Sequence, residues 1–262
     1  MEKLHTFVIS AWKESPYIEE TLKSLLAQEY PSEVIVATSS PCDFLRNLCA
    51  KYQVKYVVNP DAYMAESQIN WSFAYAQART KYVTLAHQDD IYLPGYSREM
   101  VAAAERHPDV LMAFSRCANW KDGRRSDFHP LLLVKDLLLL PYYFKHAIYS
   151  RKMRLLCLSF GNPVCCPTIM MNKELIGAFS YDPEIPVNFD WDACLRLSRR
   201  EGAFLFRPRV LMLRRVHSAS GTTITYGDGR RQKDDLAFFR RFWPRPVAAV
   251  LARIYGLARF LN

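Results

Sequence analysis

Over the first hundred residues, short β-rich runs alternate with segments of helical periodicity, and this alternation restricts the fold more than any other feature of the chain. Thr6–Ser10 (TFVIS) is an apolar run of strand length. Between Tyr17 and Gln28, Ile18, Leu22, Leu25 and Leu26 recur at helical spacing, with Pro16 suited to the first turn and Pro31 as a stop. Strand-like Val34–Ala37, helical Phe44–Lys51, strand-like Lys55–Val58, Ala-rich helical Ser67–Arg79 and strand-like Tyr82–Ala86 follow. A further helix is predicted from Pro94-Gly95 to about His107. Such an order implies a largely parallel sheet with helices on both faces. Ligands of these sheets sit at the carboxyl ends of the strands. Here those ends carry Ser10–Glu14, Thr38–Ser40 and His87–Asp90.

The second half is less regular. Leu111–Trp120 has strand character, and Leu131–Phe160 is aliphatic and aromatic, predicted as helix on either side of Pro141. The apolar GNPVCCPTIMMNK, the acidic NFDWDACLRL, two strands at Ala203–Phe206 and Val210–Val216, and RRVHSASGTT follow. Phe238–Leu261 is basic and amphipathic. The opening MEKLHTFVIS lacks an apolar run of signal-peptide length, and the most apolar stretch, Leu131–Leu140, is interrupted by Lys135 and Asp136. It also falls short of the ~20 residues of a membrane span. No transmembrane helix is expected.

A net charge of +9 favours an anionic partner: a nucleic acid, a phosphate-bearing ligand or an acidic membrane. No nucleic-acid motif is present, and no nucleic-acid partner is expected. The seven cysteines form no CxxC pair, which argues against a structural zinc site and for a reducing compartment.

Three segments carry candidate chemistry. In AHQDDIYLP, Asp89 and Asp90 close a strand, a setting that suits a hard divalent cation with oxygen ligands and equally suits a capped turn. In NFDWDACLRL, Asp190 and Asp192 open a helical pattern, where carboxylates serve either the helix dipole or an acceptor proton. In RRVHSASGTT, His217 follows a strand beside Arg214 and Arg215, cationic neighbours able to face a diphosphate.

Taken in order and spacing over about residues 5–225, these segments resemble family 2 glycosyltransferases of the GT-A fold. FVISAWKESPYIEETLKSLLAQEYP is similar to the family's first strand, nucleotide loop and helix, and EVIVATSSP to its second strand. INWSFAYAQARTKYVTLAHQDDIYLPGY resembles the approach to its DxD motif, NFDWDACLRL its ED motif, and GNPVCCPTIMMNKELIG an acceptor-side segment. The resemblance implies an α/β fold: a Rossmann-like, mostly parallel sheet flanked by helices, with a helical acceptor-side insertion and C-terminal helices. The implied catalytic domain covers 1–225, divided into a nucleotide-binding half (1–120) and an acceptor-side half (121–225), with a basic amphipathic segment at 226–262.

Site roles carried over by position are these. The resemblance implies that Trp12 stacks on a base, with Ser10 and Glu14 beside it contacting base or ribose. Asp89 matches the last acid of DxD, the position the resemblance implies to hold a divalent metal, Mg²⁺ or Mn²⁺, with Asp90 assisting, and His217 matches a residue implied to touch metal or diphosphate. Asp190 matches the catalytic base, with Asp192 as the alternative. Three positions depart from the pattern: His87 replaces the first acid of DxD, Thr38 and Ser39 replace an acidic pair, and Phe189 replaces the Glu of ED. Thr38, Ser39, His87 and Gln88 are grouped with the nucleotide contacts.

The implied activity is inverting transfer of a sugar from a nucleotide-diphospho-sugar to a saccharide or lipid-linked acceptor, in cell-surface polysaccharide synthesis. The implied location is cytoplasmic and peripheral at the inner membrane face. There, Arg240, Arg241, Arg245, Arg253 and Arg259, interleaved with aromatics, suit an anionic surface. From Val247 on, Val250, Leu251, Ile254, Leu257 and Leu261 are predicted to share one helical face. The rival readings are a nucleotidyltransferase, disfavoured because SAWKESP lacks glycine, and a non-catalytic nucleotide- or nucleic-acid-binding module.

Overall fold

The computed structural model describes residues 3–60, 67–218, 220, 225 and 229–257. The nucleotide half contains β1 (His5–Ala11), α1 (Ile18–Leu26), β2 (Glu33–Thr38), α2 (Asp43–Tyr52), β3 (Lys55–Val58), α3 (Ser67–Gln77), β4 (Tyr82–His87), β5 (Ile91–Tyr92) and α4 (Tyr96–Glu105). Then come β6 (Val110–Lys121), β7 (Arg124–Ser126), α5 (Pro130–Leu138), α6 (Leu140–Phe144), β8 (Ala147–Ile148) and α7 (Arg151–Ser159). The chain continues with β9 (Met170–Asn172), α8 (Lys173–Ile176), α9 (Phe189–Ser198), β10 (Ala203–Arg215), α10 (Arg230–Phe239) and α11 (Arg245–Gly256).

These strands form one sheet in the order β3-β2-β1-β4-β9-β6-β10-β5, with β7 on β6 and β8 on β10. β1 to β4 pair in parallel, as does β6 with β10, while β9 runs antiparallel between β4 and β6. The period-2 alternation of the strands divides the core between the two faces. Phe7 and Ile9 pack with Leu22, Leu25, Leu45 and Met100. Val8, Val83 and Leu85 pack with Trp71, Tyr75 and Trp191. The sheet is therefore a buried layer between two helical layers, and its strand ends are the places left for chemistry.

Several boundaries differ from the sequence expectation, each for a local reason. The two strands expected at Ala203–Phe206 and Val210–Val216 are one strand, β10, whose pairing with β6 slips between Arg207 and Val210. Pro208, which has no N–H to donate, sits at that bulge. The long helical region splits into α5, α6 and α7, and both Pro130 and Pro141 occupy first turns rather than interrupting a helix. The final helix begins at Arg245, two residues before Val247, because Pro246 is tolerated in its first turn. α10 falls within the 226–262 segment, where C-terminal helices were expected, although its bounds were not. Arg259, Phe260 and Leu261, and residues 219 and 221–223 of the RRVHSASGTT segment, lie outside the described residues. No described helix is long and apolar enough to cross a membrane.

Candidate active site

The loop after β4 carries the acidic cluster. His87, Asp89 and Asp90 offer ligand atoms that all lie within 4.8 Å of one another. Asp90 is almost wholly buried; its Oδ1 accepts the amide of Arg215 at 2.8 Å, while its buried Oδ2 has no hydrogen-bond donor among the described residues. His87 Nδ1 stands 3.5 Å from that oxygen. Asp89 Oδ2 lies 2.8 Å from His217 Nε2. Burial, then the adjacent Asp89 carboxylate, pushes the Asp90 carboxyl well above the usual carboxylate range, against the Arg215 amide. Burial lowers the His87 imidazole, opposed by the carboxylates of Asp89 and Asp190.

Two crowded carboxylates, one with an orphaned buried oxygen, beside an imidazole form a donor set that fits a divalent cation. A cation there would supply the missing partner of Asp90 and offset the burial and the Asp89 repulsion that raise its pKa. Arg215 fixes the loop from outside. Its amide holds Asp90, its Nε donates to the Asp89 carbonyl at 2.8 Å, its guanidinium pairs with Glu20 and lies over the Tyr17 ring. Tyr17 also packs against His217, with ring centroids 4.8 Å apart. Arg214 is turned to Asn119 Oδ1 at 3.1 Å.

The loop after β1 is tied to this cluster through Gln88. Its Oε1 accepts the Trp12 amide at 2.8 Å and its Nε2 donates to the Trp12 carbonyl at 3.1 Å. The Trp12 ring is exposed, with Lys13 Nζ 5.5 Å from its centroid. Lys13 has φ +54°, an unusual conformation for a non-glycine residue, and its amide donates to Ser40 Oγ at 2.6 Å. Ser10 Oγ accepts from Asn70 Nδ2 at 2.8 Å, and Glu14 is exposed. Thr38 and Ser39 are fully buried, and Thr38 Oγ1 accepts the Ser40 amide at 3.0 Å. The expected nucleotide contacts thus divide into surface groups (Trp12, Glu14) and interior groups that shape the loop (Thr38, Ser39).

Asp190 enters from the first turn of α9. Its Oδ1 accepts the Trp191 amide at 2.8 Å and its Oδ2 accepts from Asn162 Nδ2 at 3.0 Å. Asn162 cannot turn away easily, because its Oδ1 accepts the Val164 amide at 3.2 Å and Lys135 Nζ donates to its carbonyl at 3.1 Å. Trp71 joins this corner to the acidic loop: its ring centroid is 5.0 Å from that of His87 and 5.3 Å from that of Phe189. Phe189, in place of the expected Glu, is therefore a packing residue of the site wall. Asp192 faces elsewhere. It is buried between Arg196 and Arg241, with a 2.8 Å ion pair to each.

Sequence reasoning missed Asn162, Asn70, Lys135 and Tyr17. Each acts across a long separation, such as 28 residues for Asn162–Asp190 and 60 for Asn70–Ser10, and no local pattern marks them. Residues 6–176 match the family model described as "Glycosyl transferase family 2", well over half of the chain, and the chain belongs to that family. No curated protein matches it in sequence. Among solved structures it resembles S. aureus TarS (TM-score 0.57, 14% identity), covering 100% of this chain but only 44% of that one. TarS 1-349 in complex with UDP-GlcNAc matches with TM-score 0.60 and 14% identity over 98% of this chain and 72% of that one. The mannosyltransferase PcManGT from Pyrobaculum calidifontis, in complex with GDP-Man and Mn²⁺, matches with TM-score 0.58 and 15% identity over 98% and 70%. The fold is that of the GT-A glycosyltransferases.

Proposed function

We propose that the chain is a metal-dependent inverting glycosyltransferase that moves a sugar from a nucleoside-diphospho-sugar to a hydroxyl of a saccharide or lipid-linked acceptor in cell-surface polysaccharide synthesis. The observation that carries this reading is the meeting, around Trp71, of the His87–Asp89–Asp90 cluster and a carboxylate, Asp190, aimed by Asn162. The likeness to proteins bound to UDP-GlcNAc and to GDP-Man with Mn²⁺ supports the donor class.

In this proposal Trp12 stacks on the base, and Ser10 and Glu14 lie beside base or ribose. Gln88 holds the Trp12 backbone in place, and Thr38 and Ser39 form the loop floor. A Mg²⁺ or Mn²⁺ ion held by Asp89, Asp90 and His87, with His217 set against Asp89, would neutralise charge gathering on the departing diphosphate. Asp190 takes the proton of the acceptor hydroxyl as its oxygen bonds to the anomeric carbon. The bond from that carbon to the diphosphate oxygen breaks, and the nucleoside diphosphate leaves with the electron pair. Asp192 holds α9 through its arginines, so Asp190 is the stronger of the two candidate bases.

α11 supports peripheral docking on an anionic bilayer at the cytoplasmic face. Ala248, Leu251, Ala252 and Tyr255 pack inward, which leaves Val247, Val250, Ile254 and Leu257 exposed on the opposite side. Arg240, Arg245 and Arg253 are exposed on the same C-terminal segment and complement acidic lipid. The helix is thus apolar on two sides rather than one, and Leu251 belongs to the inner side.

Calorimetric titration of UDP and GDP in Mn²⁺ tests the site. The expected result is saturable binding that is lost in EDTA and in Asp89→Asn. Equal affinity in EDTA removes the metal assignment, and no binding of either nucleotide removes the donor site.

A further inference from the structure

A second charged feature lies away from the active site. Between α4 and the bulge of β10 a cleft of about 300 Å³ is lined by Arg98, Glu99, Ala102, Arg106, Arg207 and Arg209. Arg98, Ala102 and Arg106 recur every fourth residue and so share one face of α4, continuing into the turn that follows it. Arg207 and Arg209 come from the β10 segment where Pro208 breaks the register with β6.

Glu99 organises the two strand arginines. Its Oε2 accepts from Arg207 at 3.0 Å and its Oε1 from Arg209 at 2.5 Å, and its side chain is only 9% exposed. One carboxylate is thereby shared by two guanidiniums. Four arginines less one glutamate leave a charge of +3 in the cleft, or +2 when the 3.0 Å pair of Arg98 with Glu29 is included. Arg106 has no ion-pair partner among the described residues, and the buried Nε of Arg207 has no acceptor among them. Converging guanidiniums repel one another unless an oxyanion stands between them, and their forked donors match phosphate oxygens.

We infer that this cleft is a binding site for a small phosphate-bearing ligand carrying two or more negative charges, separate from the donor site. Arg106 supplies a guanidinium with no ion-pair partner among the described residues, Arg209 and Arg98 supply the donors left over from their pairs with Glu99 and Glu29, and Ala102 leaves the space the phosphate occupies. Arg209, the cleft arginine nearest the acidic loop along β10, is six residues from Arg215, whose amide holds Asp90, so for extended backbone at ~3.3 Å per residue the two sites are separated by roughly 20 Å. The cleft therefore does not hold the diphosphate of a donor bound at Asp89. The inference is independent of the proposed transferase activity.

The test is calorimetric titration of inorganic pyrophosphate into the full chain in EDTA, with the double variant Arg106→Ala/Arg209→Ala and the single variant Arg106→Gln alongside. Saturable 1:1 binding is expected, weakened at least tenfold in the double variant and several-fold in Arg106→Gln, which disturbs no bond of the described structure. Asp89→Asn should bind as the unaltered chain does. Non-saturating binding, or equal binding by the unaltered chain and Arg106→Gln, overturns the site. Loss of pyrophosphate binding in Asp89→Asn, or its displacement by excess UDP with Mn²⁺, places the probe in the donor site and also overturns it.

Discussion

Two carboxylates one helical turn-fraction apart, Asp190 and Asp192, have opposite expected fates on conversion to asparagine. Asp190 spends its oxygens on Asn162 and on the Trp191 amide, both of which an asparagine carbonyl can partly satisfy. Its stability cost is expected within about 1 kcal/mol, the net worth of a typical hydrogen bond. Loss of a positioned base lowers turnover by about 10²- to 10⁴-fold. Asp192 is different. Its carboxylate is 8% exposed and holds two guanidiniums, one from its own helix and one, Arg241, from the segment after α10. Breaking a fully buried pair costs ~3–5 kcal/mol, but these guanidiniums remain about 40% exposed and solvent recovers part of the loss. A cost of about 2 kcal/mol is expected for Asp192→Asn, a fall in melting temperature of roughly 4–8 °C for a domain of this size. Nucleoside diphosphate release and thermal unfolding, measured on the same preparations, separate the two. Asp190→Asn should be stable and nearly inactive, and Asp192→Asn less stable with turnover within about tenfold of the unaltered chain. A stable Asp192→Asn that is inactive, beside an active Asp190→Asn, refutes the assignment.

Three further outcomes follow from particular contacts. Trp12→Ala should weaken UDP or GDP roughly tenfold with little change in unfolding temperature, since base–aromatic stacking contributes ~1–3 kcal/mol; unchanged affinity sinks the stacking role. His5 is wholly buried between Ser32 Oγ and Thr84 Oγ1, and burial lowers its pKa to about 3. The unfolded chain then takes up that proton first, so the His5 contribution is intact above about pH 6.5 and is lost as pH falls toward about 3. Denaturant melts across that window should slope by up to ~1.4 kcal/mol per pH unit from this group, and an equal slope in His5→Gln would count against it. Gly161 has φ +138°, and a Cβ there would stand 2.7 Å from Tyr255 Cε2. Gly161→Ala should therefore cost roughly 2 kcal/mol and loosen α11, read as altered Trp243 fluorescence; an unchanged melt would show that the contact yields freely.

The nucleotide half was legible because its signals are local. β1 to β4 and their helices follow from the alternation of apolar runs with 3.6-residue spacing, with Pro31 lying beyond the end of α1 and Pro94 just before the start of α4. The Asp89–Asp90 loop was legible as a strand end carrying two acids. What was not legible depends on partners far along the chain. Nothing near Asp90 shows that Arg215, 125 residues on, holds it, and nothing near Trp12 shows the grip of Gln88 from 76 residues away. The region from Pro130 to Phe160 misled for another reason: its dense leucines and aromatics, broken by charges such as Lys135, Asp136 and Arg151, carry no clear period, so they did not separate α5, α6, β8 and α7. The amphipathicity of α11 was visible, but not that its two apolar sides face different surroundings.

The most direct test of the central claim is sugar transfer itself, measured as nucleoside diphosphate release from a panel of UDP-, GDP- and deoxythymidine-diphosphate sugars with a set of saccharide and lipid-linked acceptors. Acceptor-dependent release from one donor with Mg²⁺ or Mn²⁺ is expected, abolished by EDTA and lowered at least 100-fold in Asp190→Asn. Release that persists in EDTA and is unchanged in Asp190→Asn, or nucleotide bound with metal but no sugar moved to any acceptor, contradicts that claim.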